Sequence, residues 1–263
     1  MHELPIVFAG FFVGLIVGLT GVGGGSLMTP ILIFFFGVKP YLAVGTDLLF
    51  AAVTKGGGTL NLARQRLVPW RVVGQLSAGS LPAALITLAV LRQMGPASAG
   101  VQSVMTHTLG IALLLTAAAM LFKAARGKQL PRNLPADQID NATRAHHWAL
   151  PVLFGAVIGT LVTLTSVGAG AIGVSVLLLL FPRLPLPRIV AADIAYAVPL
   201  TLVAGLGHAS LGSVDWPLLA TLLVGSLPGI WLGTRLMRHT PERVVRSLLS
   251  LLLAYAGTKL IAL

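Results

Sequence analysis

Two short glycine-rich stretches carry the most chemical promise in this chain. Thr20-Gly21-Val22-Gly23-Gly24-Gly25 recurs as Thr165-Ser166-Val167-Gly168-Ala169-Gly170, and each copy precedes an apolar run, 26–36 and 171–181. Glycine favours non-helical backbone, so each stretch should break a helix and start a new one. A helix that starts there presents unpaired N–H groups and the positive end of its dipole, which is a ready anion site. Gly21, Gly23, Gly24, Gly25, Gly168 and Gly170 would let a ligand approach that backbone, and Thr20, Ser26, Thr165 and Ser166 add hydroxyls. Sulfite, sulfonate or sulfate oxyanions suit such donors. The competing reading is that the glycines only let helices pack closely, as small-xxx-small contacts do.

Few side chains could add charge to such a site. Lys55 is the lone base inside an apolar span and is followed by Gly56-Gly57-Gly58, which predicts a second helix distortion. An ionisable residue within a membrane is a functional candidate; the alternative is that Lys55 snorkels to the surface. Asp47 and Asp193 stand at matching positions a few residues inside their spans. They could take up and release a coupling proton, or could merely cap a helix or pair near the interface, and their shallow position favours the structural role. Two helical turns separate Asp47 from Lys55, too far for a direct pair on one helix face. His208 could titrate near neutral pH, although an interfacial place, like that of His107, suits it better. His146-His147 reads as solvated. No metal site or cofactor is expected.

These residues must be held by elements that lie in lipid. Of 263 residues 56% are hydrophobic and 10% charged, whereas a soluble chain needs roughly 25% charged residues to cover its surface. Apolar blocks reach the length of about 20 residues that crosses a ~30 Å hydrocarbon core. A formal charge of +11 would suggest nucleic acid on a soluble protein; here the bases sit in short loops, where membrane topology explains them better. The chain has no cysteine, which excludes disulfides, thiolate metal sites and cysteine nucleophiles. The opening MHELPIVFAGFFVGLIVGLTG lacks a basic n-region and reads as a retained membrane segment rather than a signal peptide.

The chain is a duplication. After the hexamer, Asp47 matches Asp193, Trp70 matches Trp216, and Gly79-Ser80-Leu81-Pro82 matches Gly225-Ser226-Leu227-Pro228. This gives a first membrane repeat at 1–122, a cytoplasmic linker at 123–147 and a second repeat at 148–263. The fold expected is an all-α polytopic membrane protein. Each repeat holds a glycine-broken pair of short helices, re-entrant or thinly spanning, and then three full spans at 42–62, 72–91 and 98–122, or at 189–208, 215–236 and 243–262. If each broken pair enters and returns, the halves are inverted, with 14 bases inside and three outside. Parallel halves leave the bases almost evenly divided, so the positive-inside rule favours inversion. Inverted repeats with broken helices are a recurrent transporter design with the site near the midplane. Trp70 and Trp216 fit the headgroup belt.

At Gly21-Val22-Gly23-Gly24-Gly25-Ser26 with Pro30, at Ala43-Val44-Gly45-Thr46 and at Val214-Asp215-Trp216 the sequence resembles the TauE/SafE family of sulfite and organosulfonate exporters. The resemblance covers essentially the whole chain outside the linker. It departs at Leu67-Val68-Pro69-Trp70, where such proteins usually carry Gly-x-Asp-Trp-like residues. It implies a secondary transporter of the inner membrane that exports a sulfur-containing anion with an ion gradient, the proton being the coupling candidate. Lipid and a small anion would be its partners, with no nucleic acid; oligomeric state is open. A passive anion channel is the alternative. An intramembrane enzyme is less well supported, because no HExxH or GxSxG is present and Glu3 and Glu242 are the only glutamates, both at segment ends. A scaffold would not require two glycine-broken helices.

Overall fold

The computed structural model describes residues 3–20, 25–126, 149–168, 170–236 and 242–261. Gly21, Gly23 and Gly24, and most of the 123–147 linker, lie outside that set. Ten α-helices account for nearly all of the described residues, which contain no strand. The first five are α1 (Glu3–Thr20), α2 (Gly25–Phe36), α3 (Pro40–Arg64), α4 (Trp70–Met94) and α5 (Ala99–Arg126). The second five repeat the order: α6 (Ala149–Thr165), α7 (Ala171–Leu180), α8 (Leu186–Ser210), α9 (Trp216–Leu236) and α10 (Glu242–Ile261). Four of the described helices, α4, α5, α8 and α9, are long and apolar enough to cross a membrane on composition alone.

The short helices fall where the glycine stretches place them. α2 has 12 residues and α7 has 10, or roughly 18 Å and 15 Å of rise. Each covers about half of a ~30 Å hydrocarbon core, so its glycine-marked start lies near mid-depth when its other end is at the surface. The distortion expected at Gly56-Gly57-Gly58 does not occur. α3 runs as one helix through all three glycines. An added Cβ at Gly56 or Gly57 would meet nothing, so neither marks a close approach, and the intact hydrogen-bond ladder holds the helix.

The two halves are interlocked. α1 packs most extensively on α9 and α6 on α4, so each half's first helix lies against the other half's fourth. Gly10 and Gly14 of α1 face Leu222 and Ser226, while Gly225 and Gly229 of α9 face Val7 and Phe11; a Cβ at any of them would overlap the neighbouring backbone. Gly155, Gly159 and Gly79 make the equivalent contact between α6 and α4. These are small-xxx-small crossings, in which backbones meet because no side chain intervenes and lipid offers no hydrophobic drive to hold helices together. The repeated Gly-Ser-Leu-Pro thus has a packing role.

Equivalent helices run antiparallel to one another. Gly205 packs on Leu49 and Gly58 faces Ile194, so rising numbers in α3 meet falling numbers in α8. Gly110 of α5 meets Ile261 and Gly257 of α10, and Gly257 meets Leu114.

Candidate functional site

α3 and α8 form the centre, and each brings one acid inward. Each has 25 residues and places its aspartate, Asp47 or Asp193, as the eighth, about 10 Å along the axis. Sequence depth alone suggested a shallow, structural position, but Asp47 is 0% and Asp193 3% exposed. The half-helices α2 and α7 pack against α3 and α8, with Thr29 bonded to Asp47 and Gly173 against Asp193, so the acids are covered by protein. Both acids are thus buried polar groups that need partners.

Their partners differ. The Thr29 hydroxyl of α2 donates to Asp47 Oδ2 at 2.5 Å. Ser166 of the second glycine stretch lies near that carboxylate without a hydrogen bond to it, and Val167 shares a core cluster with Leu27 and Met28 of α2. The second helix break therefore lies beside the start of α2. Asp193 instead sits against α7 at Gly173, where any Cβ would overlap its Oδ1. The Tyr196 hydroxyl approaches the same point, 3.4 Å from where that Cβ would be.

Lys55 does not snorkel. It is 6% exposed and lies within electrostatic reach of both acids, Asp193 more strongly than Asp47. Distance along α3 rules out a side-by-side pair with Asp47, yet a low-dielectric interior carries the interaction between them. Its counterpart in the second repeat is Thr201, which bonds only its own helix, donating to the Ala197 carbonyl at 2.8 Å. Lys55, the one buried lysine or arginine among the described residues, is thus an asymmetric element in a near-symmetric frame.

The remaining candidates sort by their hydrogen bonds. Thr20 ends α1, while Gly25 and Ser26 open α2. Thr165 is engaged by backbone: its hydroxyl donates to the Leu161 carbonyl at 2.6 Å and receives the Val167 N–H at 3.1 Å, so it shapes the turn. Ser166 has φ +59°, and Gly168 and Gly170 have φ +128° and +151°; the last two conformations strongly favour glycine. His208 is not interfacial but buried. Its Nε2–H donates to the Thr163 carbonyl at 2.9 Å, joining the end of α8 to the last turn of α6. His107 is exposed and donates from Nδ1 to the Ser103 carbonyl at 2.8 Å.

The departure at Pro69 also has a structural meaning. Asp215 Oδ1 accepts the Leu218 N–H at 3.0 Å and its own N–H reaches Thr46 Oγ1 at 3.0 Å, capping α9 and tying it to α3. Pro69, at the same point before α4, has no side-chain cap and no N–H to donate. Trp70 and Trp216 follow as first residues of their helices and are exposed.

Sequence reasoning missed Thr29, Gly173 and Tyr196. Tyr196 could have been found, since it lies three residues after Asp193 and hence on the same helix face. Thr29 and Gly173 gain their meaning only from the neighbour across the helix interface. A cavity of about 970 Å³ lined by Pro30, Phe34, Phe35, Leu252 and Tyr255 lies on the apolar flank, and none of the three buried charges lines it.

The sulfite exporter TauE/SafE family profile matches residues 6–260. The probable membrane transporter protein YjnA of Bacillus subtilis is 35% identical over 260 residues, covering 98% of this chain and 100% of that one. YunE of the same organism, also named a probable membrane transporter protein, is 26% identical over 270 residues, 99% of this chain and 98% of that one. A protein of that description from Methanocaldococcus jannaschii, MJ0441, is 25% identical over 282 residues, 97% and 94% of the two chains. No solved structure matches.

Proposed function

The chain belongs to the sulfite exporter TauE/SafE family of membrane transporters, and on that footing we propose that it is a secondary transporter exporting a small sulfur oxyanion across the bacterial inner membrane. Sulfite, a sulfonate or a related oxyanion is the substrate class. The observation that carries the reading is a buried lysine within electrostatic reach of two buried acids, Asp47 bonded to the half-helix α2 and Asp193 packed on the half-helix α7, between central helices α3 and α8 that run antiparallel. Antiparallel halves are what inverted membrane repeats require, with both termini periplasmic and the basic 123–147 linker cytoplasmic.

The proposed site comprises the first turns of α2 and α7, Lys55, and the stretches 20–26 and 165–170. Helix N-termini bind oxyanions through N–H groups and dipole, and a buried ammonium adds the positive charge a dry site otherwise lacks. Burial of the charged cluster favours a carrier with an occluded state over an open channel. Transport rather than catalysis is the role of these groups, which include no nucleophile–base pair.

Purified protein in liposomes loaded with sulfite, sulfate, thiosulfate or methanesulfonate tests the reading. One of these anions should leave the vesicles at a protein-dependent rate that saturates with concentration. Rates equal to empty liposomes for all four would overturn it.

A further inference from the structure

We propose that Asp47, Thr29 and Ser166 hold a dehydrated monovalent metal cation at the end of α6, beside the proposed anion site. The cation site stands on the geometry of these residues, and its part in coupling rests on the carrier reading above. Thr29 donates to Asp47 Oδ2, but Oδ1 of the same carboxylate is buried without a hydrogen-bond partner. Ser166 is 4% exposed, its hydroxyl has no partner either, and it lies near that carboxylate. Each such oxygen forgoes the hydrogen bond it would make in water. A hard cation takes oxygen ligands and answers both at once. Ser166 follows directly on α6, whose last carbonyls lack intrahelical partners and form the negative end of its dipole. One helix break thus offers a cation the end of α6 and an anion the start of α7, a pairing used by transporters with broken helices.

The backbone at Ser166 points the same way. Its φ of +59° is a left-handed conformation that costs an L-residue energy, and Gly21 stands at the matching place in the first stretch. Glycine would fit there without strain, so what the serine adds is its hydroxyl. Residues held in such conformations gather at ligand sites. Charge selects the class of ion. As carboxylates, Asp47 and Asp193 carry two negative charges against the single positive charge of Lys55, the one buried lysine or arginine among the described residues. Lys55 acts more strongly on Asp193 than on Asp47, from which eight residues, about 12 Å of helix, separate it. One monovalent cation at Asp47 balances the cluster, whereas a divalent ion would leave excess positive charge in a dry interior. A single carboxylate with neutral oxygens also suits a hard ion better than a transition metal.

Thermal unfolding of detergent-purified protein, with sodium or potassium chloride replacing choline chloride at constant ionic strength, tests the site. The midpoint should rise with the concentration of one of the two metal ions, as for any ligand that binds the folded state. Asp47→Asn should abolish the rise. Ser166→Gly keeps every charge and relieves the left-handed backbone, so its midpoint in choline should be no lower than that of the unaltered protein. It should nevertheless need about tenfold more of the ion for the same gain, the factor expected for one lost contact to a charged group. In proteoliposomes, efflux of whichever of sulfite, sulfate and methanesulfonate the protein moves should fall when choline replaces that ion on both sides. Midpoints unmoved by either metal ion would overturn the site. Midpoints that rise on acidification but ignore both ions would make the occupant a proton and overturn it likewise. An unchanged response in Asp47→Asn or Ser166→Gly would place the cation elsewhere and overturn the assignment. Cation binding with efflux indifferent to it would overturn the coupling and leave the site standing. Absence of flux for every anion would overturn the carrier reading alone.

Discussion

The hydroxyl of Thr29 donates to the carboxylate of Asp47 across 2.5 Å, joining residues 18 apart on α2 and α3. This bond fixes a half-helix to the long helix that crosses the centre, and it gives one oxygen of a buried acid its partner. Thr29→Val should therefore leave that carboxylate short of a partner. The expected loss is about 1–3 kcal/mol, seen as a lower midpoint in thermal unfolding of detergent-purified protein. Thr29→Ser should retain most of the stability, and equal losses for both variants would refute the bond's role.

Glycines that look alike in the sequence should respond in opposite ways. Gly225→Leu should prevent folding, because its side chain would enter the Val7 backbone at the α9–α1 crossing. Gly57→Ala should be neutral or stabilise α3 by up to about 1 kcal/mol, the helix preference of alanine over glycine, because nothing lies near its Cβ position. Size-exclusion profiles and unfolding midpoints of the two variants make the comparison.

Lys55→Ala should weaken anion affinity more than it lowers membrane insertion. It also leaves two buried acids without their cation. Adding Asp193→Asn to it should restore part of the lost stability, with a coupling between the two changes of about 0.5–3 kcal/mol. Strict additivity would show that the two groups act independently.

Gly170→Val should abolish anion flux while leaving protein in the membrane, since φ +151° at the residue before α7 is accessible to glycine and strained for valine. Flux retained at the level of the unaltered protein would remove this turn from the site.

The antiparallel arrangement predicts opposite exposure for equivalent loops. Lys39 follows α2 and Arg183 follows α7, and both are exposed. Because the chain has no cysteine, Lys39→Cys and Arg183→Cys provide single labelling sites. A membrane-impermeant maleimide applied to whole cells should label the first and not the second; labelling of both from one side would mean parallel halves.

Much of this protein was legible before any coordinates. Composition set lipid as the solvent, the paired hexamers marked two helix breaks, and the matched Asp, Trp and Gly-Ser-Leu-Pro positions revealed a duplication. These are local or repeated features, and hydropathy and glycine content report them directly. Depth is another matter. Asp47, Asp193 and His208 read as peripheral because position along a helix measures distance to its end and not what packs around it. Burial came from α2 and α7 folding over α3 and α8, and the partners Thr29, Gly173 and Tyr196 came from the same contacts. Whether a glycine bends a helix, as expected at Gly56-Gly57-Gly58, or lets another backbone approach, as at Gly225, likewise depends on the neighbour it meets. One-dimensional patterns name the solvent of a segment; only the tertiary structure names its neighbours, and in a dry interior the neighbours decide what a charge can do.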